Sequence, residues 1–436
     1  MSIPAIRSTL LILCPLILLA GCATAPQETD ASATALSSTA LQCPPPNGIP
    51  QCADEKLGAL LRQPPETGVE APRGRLEKTG WSALPKWEND DLARALGAFT
   101  SGCPVLAEQP AWASICTTAT ALGARARNAQ IARFFRDNFE PYQILNTNET
   151  SAGMVTGYYE PLLHGSRTRS ARYRFPIYAT PQDMLTIDLS SVYPDFKHKR
   201  LRGRMDGGKV IPYFSRADID NGASLLNGLE IAWVDDAVEL FFLHIQGSGQ
   251  IQLENGERLR IGYADQNGHP FRSLGGALIR KGEIRPEQAS MQGIKEWTRK
   301  NPGKAQEFMN TNPSYVFFKE LPGGLSGPIG TLGVPLTAER SLAIDQRVVP
   351  LGVPVYLSTT YPGTATPLNR LMVAQDTGGA INGAVRADFY WGFGEEAGKL
   401  AGRMKQTGRM WVLLPKGYDS KASLSDSSAS TKTAGQ

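Results

Sequence analysis

Residues 371–394 read LMVAQDTGGAINGAVRADFYWGFG, and the rest of the chain is organised around them. Leu371, Met372, Val373 and Ala374 make a short apolar run, fit for a strand that delivers Asp376 to its end. Thr377, Gly378 and Gly379 then turn the backbone without Cβ crowding. A second segment carries Asp388 into Phe389, Tyr390 and Trp391. The expectation is two carboxyls on adjacent strands beside three rings, an arrangement suited to sugar chemistry. A carboxyl that loses water holds its proton to higher pH, which is how a general acid is made for use near neutrality. The same residues also fit plain structure: Asp before glycines is turn chemistry, and Phe-Tyr-Trp fills strands.

The whole chain has 436 residues and a formal net charge of +4. That length allows two domains. The near balance of charge argues against a dedicated nucleic-acid binder, which would carry a basic patch or stripe. Gly 44 and Pro 31 predict many short strands and turns in place of a helical bundle.

The N-terminus speaks to compartment. Arg7 precedes an apolar run at 10–19 that is too short to span a bilayer and reads as the core of a signal peptide, 1–21. It leads into Leu19-Ala20-Gly21-Cys22, which resembles a bacterial lipobox. The resemblance implies a lipid on Cys22, and Ala23 in place of Asp implies an outer-membrane lipoprotein facing the periplasm. Residues 22–74, rich in Ala, Ser, Thr and Pro at their start, read as a flexible tether. In an oxidising compartment Cys43, Cys52, Cys103 and Cys116 can pair. Short loops close most cheaply, which favours Cys43–Cys52 and Cys103–Cys116. None of these cysteines has a His nearby and no CxxC occurs, so zinc is the weaker reading.

Further along, Asp90 or Asp91 caps a helix carrying Leu92, Ala95, Leu96 and Phe99. A second helix is predicted at 112–127. A third carries Ile131, Phe134 and Phe135 and stops before Pro141. From Met154 the texture becomes β, with strands at 154–159, 173–178, 210–214, 231–234 and 238–246. Gln246-Gly247-Ser248-Gly249 is expected to interrupt the last of these as a bulge or close approach. A hairpin spans 251–261 with Asn255-Gly256 at its tip. Short helices follow at 290–300 and 304–310, then strands at 314–318 and 353–357, a helix at 395–404 and a closing strand at 410–414. The polar tail, 417–436, reads as disordered.

His164, His198, His244 and His269 form no HExxH, and no GxSxG, Walker loop or GxGxxG is present, so neither a metal nor another cofactor is expected. Asp376-Thr377-Gly378 has an aspartic-peptidase look. Gln375 stands where that motif wants an apolar residue, and no second Asp-Thr-Gly or Asp-Ser-Gly exists to complete a dyad. Thr156, Tyr158, Tyr159, Gln246 and Ser248 offer uncharged donors, acceptors and ring faces of the kind that bind sugars. Turn chemistry and core tyrosines account for them equally well.

Taken together, TGYYEP (156–161), PYFSRADI (212–219), IQGSG (245–249), YADQNGHPFRS (263–273), NPSYVFF (312–318), AIDQRVVPLG (343–352), AQDTGGAI (374–381) and ADFYWG (387–392) resemble the membrane-bound lytic murein transglycosylase A family. The resemblance covers about 75–415, in order. It implies a mainly β fold: a double-psi β-barrel from 75–158 and 322–416, with a second β-domain, 159–321, inserted and flanked by helices. It implies cleavage of the β-1,4 bond between N-acetylmuramic acid and N-acetylglucosamine in peptidoglycan, without water, leaving a 1,6-anhydro-muramoyl end. Asp388 matches the catalytic aspartate. Asp376 and Asp345 match two supporting ones, whose charge would raise the acid's pKa. Thr156, Tyr158, Gln246, Gly247 and Ser248 are the implied glycan contacts, and peptidoglycan strands and the outer membrane the implied partners. Glu160 is given no role. A peptidoglycan-binding lipoprotein without activity, or a hydrolase, are the other readings of the same residues.

Overall fold

The structure, a computed structural model, describes residues 74–193, 196, 201–222 and 226–418. The signal peptide, tether and Cys22, the Cys43–Cys52 pair, His198 and nearly all of the tail lie outside the described residues.

The chain first lays down β1 (Arg75–Lys78), β2 (Phe139–Leu145) and β3 (Gly153–Glu160). It then builds β4 (Leu162–Ser166), β5 (Phe175–Tyr178), β6 (Leu185–Ile187), β7 (Leu201–Asp206), β8 (Lys209–Pro212), β9 (Glu230–Val234), β10 (Ser248–Leu253), β11 (Arg258–Gln266) and β12 (Val316–Glu320). It finishes with β13 (Ser341–Ile344), β14 (Pro354–Thr360), β15 (Pro367–Thr377), β16 (Arg386–Phe393) and β17 (Lys405–Pro415).

The first and last groups share one sheet in the order β1-β2-β17-β14-β15-β13-β16-β3, and β17 also pairs with β3. That extra pairing closes six strands into a ring, the barrel expected from the sequence. Closure depends on the length of β17. Its first residues pair with β3, its middle with β14 and its end with β2. A closed ring leaves no open edge among its members. Strands β4, β5 and β9–β12 make a separate sheet ordered β12-β11-β10-β4-β9-β5, and β6–β8 a small third one.

Helices Leu92–Leu106, Pro110–Leu122 and Asn128–Asn138 cover the barrel. Leu92, Ala95, Leu96, Phe99 and Cys103 share a core cluster with Leu371, Met372, Val373 and Ala374 of β15. The expected Cys103–Cys116 disulfide joins the first two helices, with Cα atoms 5.4 Å apart. The two candidate caps divide the work. Asp91 caps the first helix through Arg94 N–H. Asp90 turns inward and takes both arms of Arg340 at 2.6 and 2.8 Å, and the Leu371 N–H at 2.7 Å. Arg340 is 1% exposed, so this bidentate pair is buried between the helices and β15.

The expected strand at 238–246 is instead a helix, Ala237–Gln246. Asp236 caps it through Val238 and Glu239 N–H, and Gly247 ends it in the left-handed region at φ 77°. Its apolar run hid the helical period because the helix faces two cores. Leu240 and Leu243 pack in the cluster of the six-stranded sheet, Phe241 and Phe242 in that of the neighbouring helices. Gly247 is therefore a helix C-cap rather than a bulge. The Asn255-Gly256 hairpin stands as read, between β10 and β11.

The two aspartates predict a clear contrast. Asp90→Ala strands a buried guanidinium and should cost about 3–5 kcal/mol, whereas Asp91→Ala loses a cap worth about 1 kcal/mol. Urea unfolding of the two variants measures the difference, and equal losses would contradict the burial described.

Candidate active site

Asp376 and Asp388 are brought close, but not as direct neighbours. β13 runs between their strands, and Ala343 is in register with Asp376 on one side and Asp388 on the other. Beyond Asp388, β16 pairs in parallel with β3, opposite Thr156. The row across four strands is thus Asp376, Ala343, Asp388, Thr156. Two strand spacings separate the carboxyl-bearing backbones by roughly 10 Å, and Ala343 between them is buried against Tyr158, Leu336, Ile381 and Tyr390. A register shift after Leu342 skips Gln375. The Gln375 amide goes to the helix layer, donating to Ala98 O and Ser101 Oγ. The residue that spoiled the aspartic-peptidase motif is an anchor for β15.

Only one of the three rings flanks Asp388. Strand alternation sends Phe389 and Trp391 into the barrel's main core. Tyr390 shares the face of Asp388 and packs on Tyr158 at 5.2 Å between ring centroids.

The three aspartates sit in different environments. Asp388 accepts one hydroxyl bond, from Thr156 Oγ1 at 2.6 Å. Arg386 Nη1 donates to the same Thr156 oxygen at 3.0 Å, which turns the Thr156 hydrogen toward Asp388. Burial pushes Asp388 up to about 6, against the pull of Thr156 and Arg386 and with a small push from the Asp376 charge. Asp376 is raised too, by burial. Four donors oppose that: Thr331 N–H and Oγ1, Thr377 N–H, and Tyr158 OH at 3.1 Å. Burial also lifts the Tyr158 phenol, so it remains a donor. For Asp345 burial raises the carboxyl, but the Arg347 fork and the N–H groups of Gly383 and Arg347 outweigh it and hold it low. Arg347 meets Asp345 at 2.7 Å through two nitrogens and also reaches Asn382. Asp345 thus fastens the loop between β15 and β16, and its charge is balanced locally.

The remaining predicted contacts gather at the end of β3. Gln246 Oε1 accepts Tyr159 N–H at 3.0 Å. Gly247 lies beside Tyr263, and Ser248 is buried at 8% exposure. Cys22 lies outside the described residues. Thr331, Arg347 and Arg386 also belong to the site, beyond the residues expected from the sequence. Arg386 had a legible signal, since it stands two residues before Asp388 and so on the same strand face.

This arrangement holds one poorly solvated acid beside one carboxylate rich in donors, the pairing that separates an acid from its electrostatic partner. The chain matches two family models, the MltA specific insert domain over residues 154–319 and the 3D domain over 340–414. Membrane-bound lytic murein transglycosylase A of Escherichia coli K12 is 35% identical over 265 residues, 59% of this chain and 64% of that protein. The match therefore spans a little under two thirds of the relative's length. A crystal structure of MltA from Neisseria gonorrhoeae is 40% identical, with a TM-score of 0.70 over 80% of this chain and 95% of that one. E. coli MltA with bound chitohexaose is 28% identical, with a TM-score of 0.57 over 73% and 90%.

The raised acid carries a linkage test. Between its ordinary 3.8 and about 6 the folded state binds a proton that the unfolded chain has lost. Stability therefore falls as pH rises through that window. Ionised Asp388 then costs the fold about 2–3 kcal/mol, which Asp388→Asn avoids. Urea unfolding should find Asp388→Asn more stable than wild type at about pH 7.5 and equal to it near pH 4; a difference that does not change with pH would contradict the assignment.

Proposed function

Because the chain belongs to the membrane-bound lytic murein transglycosylase A family, we propose that it cleaves the β-1,4 bond between N-acetylmuramic acid and N-acetylglucosamine in peptidoglycan without water. The observation that carries this reading is Asp388, a carboxyl pushed up to about 6 by burial and met by the Thr156 hydroxyl, in a row with Asp376 and Thr156. A hydrolytic glycosidase uses two carboxyls, one as acid and one to attack or to activate water. Here one suffices, because the muramic acid's own C6 hydroxyl is the nucleophile.

Asp388 gives its proton to the glycosidic oxygen as the C1–O4 bond breaks, and N-acetylglucosamine leaves with a free O4–H. Positive charge grows at C1, where the Asp376 carboxylate stabilises it. The C6 hydroxyl closes on C1 to form the 1,6-anhydro bridge, and its proton passes to the Asp388 carboxylate. The enzyme returns to its starting protonation and no water is consumed. Intramolecular attack removes the entropy cost of a second reactant. Thr156 holds Asp388 in place, and Tyr158 does so for Asp376.

The glycan contacts, in this reading, are Thr156, Tyr158, Gln246, Gly247 and Ser248. Chitohexaose bound to E. coli MltA supports a glycan as ligand. The two family models, over 154–319 and 340–414, support an insert at 159–321 and the C-terminal part of a barrel at 322–416, and the pairing of β2 and β3 with β17 supports 75–158 as its N-terminal part. The lipobox at Cys22 and the membrane-bound relatives support a lipid anchor, at the outer membrane and facing the periplasm.

Mass spectrometry of digests of purified sacculi tests the reaction. The expected products are anhydro-muropeptides. Reducing muramic acid ends, one water heavier, would indicate a hydrolase, and no release would indicate a binding protein. Asp388→Asn should lower the rate at least about 10²–10⁴-fold, the usual worth of placed proton transfer. Asp376→Asn should lose less, since it keeps the acid. Near-normal Asp388→Asn beside dead Asp376→Asn would exchange their roles.

A further inference from the structure

Glu160 ends β3, is wholly buried, and takes no part in the chemistry above. Strand alternation puts Thr156, Tyr158 and Glu160 on one face, so the row that begins at the acid ends at this carboxyl. Two residues of the inserted sheet converge on it. Gln250 of β10 and Arg260 of β11 are directly opposed across their strands. Gln250 Nε2 donates to Glu160 Oε2 at 2.9 Å, and Arg260 Nη2 to the same oxygen at 3.3 Å. Arg260 Nε lies 2.9 Å from Oε1 but off the hydrogen-bond axis, so that contact is coulombic. Arg260 Nη1 also donates to Leu325 O, in the segment that returns to the barrel.

The backbone adds two more ties at the same place. Gln250 N–H donates to Pro161 O at 2.8 Å, and Tyr159 N–H to Gln246 Oε1 at 3.0 Å. The turn Gly247–Ser248 is therefore fastened to the end of β3 on both flanks, by Gln246 before it and Gln250 after it. Among these ties Glu160 alone bonds side chains of both β10 and β11. A buried carboxylate facing a single guanidinium is also hard to shift, because moving either partner leaves a charge unpaired.

We infer that Glu160 is a positioning residue for glycan binding, holding the Gly247–Ser248 turn at a fixed distance from Thr156 and Asp388. This rests on the murein-cleaving reading above. A turn free to drift from the acid would grip an N-acetylated glycan less well before and during reaction alike. The loss would then show as weaker binding and a higher KM, with little change in kcat.

The test uses Glu160→Gln and the charge-neutral double variant Glu160→Gln/Arg260→Met in the full chain. Calorimetry gives the Kd for chitohexaose, and release of anhydro products from soluble murein glycan strands gives KM and kcat. Both variants should bind chitohexaose about tenfold more weakly, the scale of one or two lost hydrogen bonds. KM should rise in step while kcat changes less than about threefold. Thermal stability should fall in the single variant and recover in the double, but binding should not recover with it. Binding that recovers with stability, or normal binding and KM in folded Glu160→Gln, would make Glu160 merely structural and overturn the inference. A wild type that binds chitohexaose yet releases no anhydro product would defeat the cleavage reading, while the binding comparison still judged Glu160. A wild type that does not bind chitohexaose would overturn both.

Discussion

The parallel pairing of β3 with β16 sets Thr156 against Asp388, residues 232 positions apart. A parallel pair needs a long crossover, and here that crossover contains the whole inserted sheet. The same strand that steadies the acid then runs straight into Pro161 and β4. Strand β17 locks the arrangement by pairing with β3 from its other side. If β3 slipped by one residue, Thr156 and Tyr158 would turn away from Asp388 and Asp376 together. Position of the acid, closure of the barrel and attachment of the insert therefore depend on one register.

Charge at the site is divided by solvation and donors more than by distance. Asp345 has a guanidinium of its own and serves the loop. Asp376 has four donors, which oppose the burial that raises it. Asp388 has a single hydroxyl donor, and loss of water decides its proton affinity. Arg386 approaches Asp388 only through Thr156 in the hydrogen-bond network, which limits how far it can lower the acid. The buried Asp90–Arg340 pair holds the β15 side of the row to the helices, and Gln375 adds a second, uncharged hold.

Much of this was legible in the sequence where the signal was local. The apolar run before Asp376, the Asn255-Gly256 hairpin and the helical spacing of Leu92, Ala95, Leu96 and Phe99 each carry their structure within a few residues. The barrel class and the order of the aspartates came from resemblance in several motifs. What failed needed partners from elsewhere in the chain. Strand β13, which separates the two aspartates, comes about thirty residues before Asp376 and leaves no mark near it. The helix Ala237–Gln246 was masked because two cores share its surface. Glu160 reads as an incidental charge until Gln250 and Arg260 are brought against it.

Burial should keep the Asp388 carboxyl protonated closer to neutrality than Asp345, which its guanidinium holds low. A site-resolved carbon NMR titration of the aspartate carboxyls, with Asp388→Asn used to assign the signal, measures this directly. The expected Asp388 midpoint is about 6, well above that of Asp345. An Asp388 midpoint near the ordinary carboxylate value, about 4, with another aspartate titrating near 6, would contradict it.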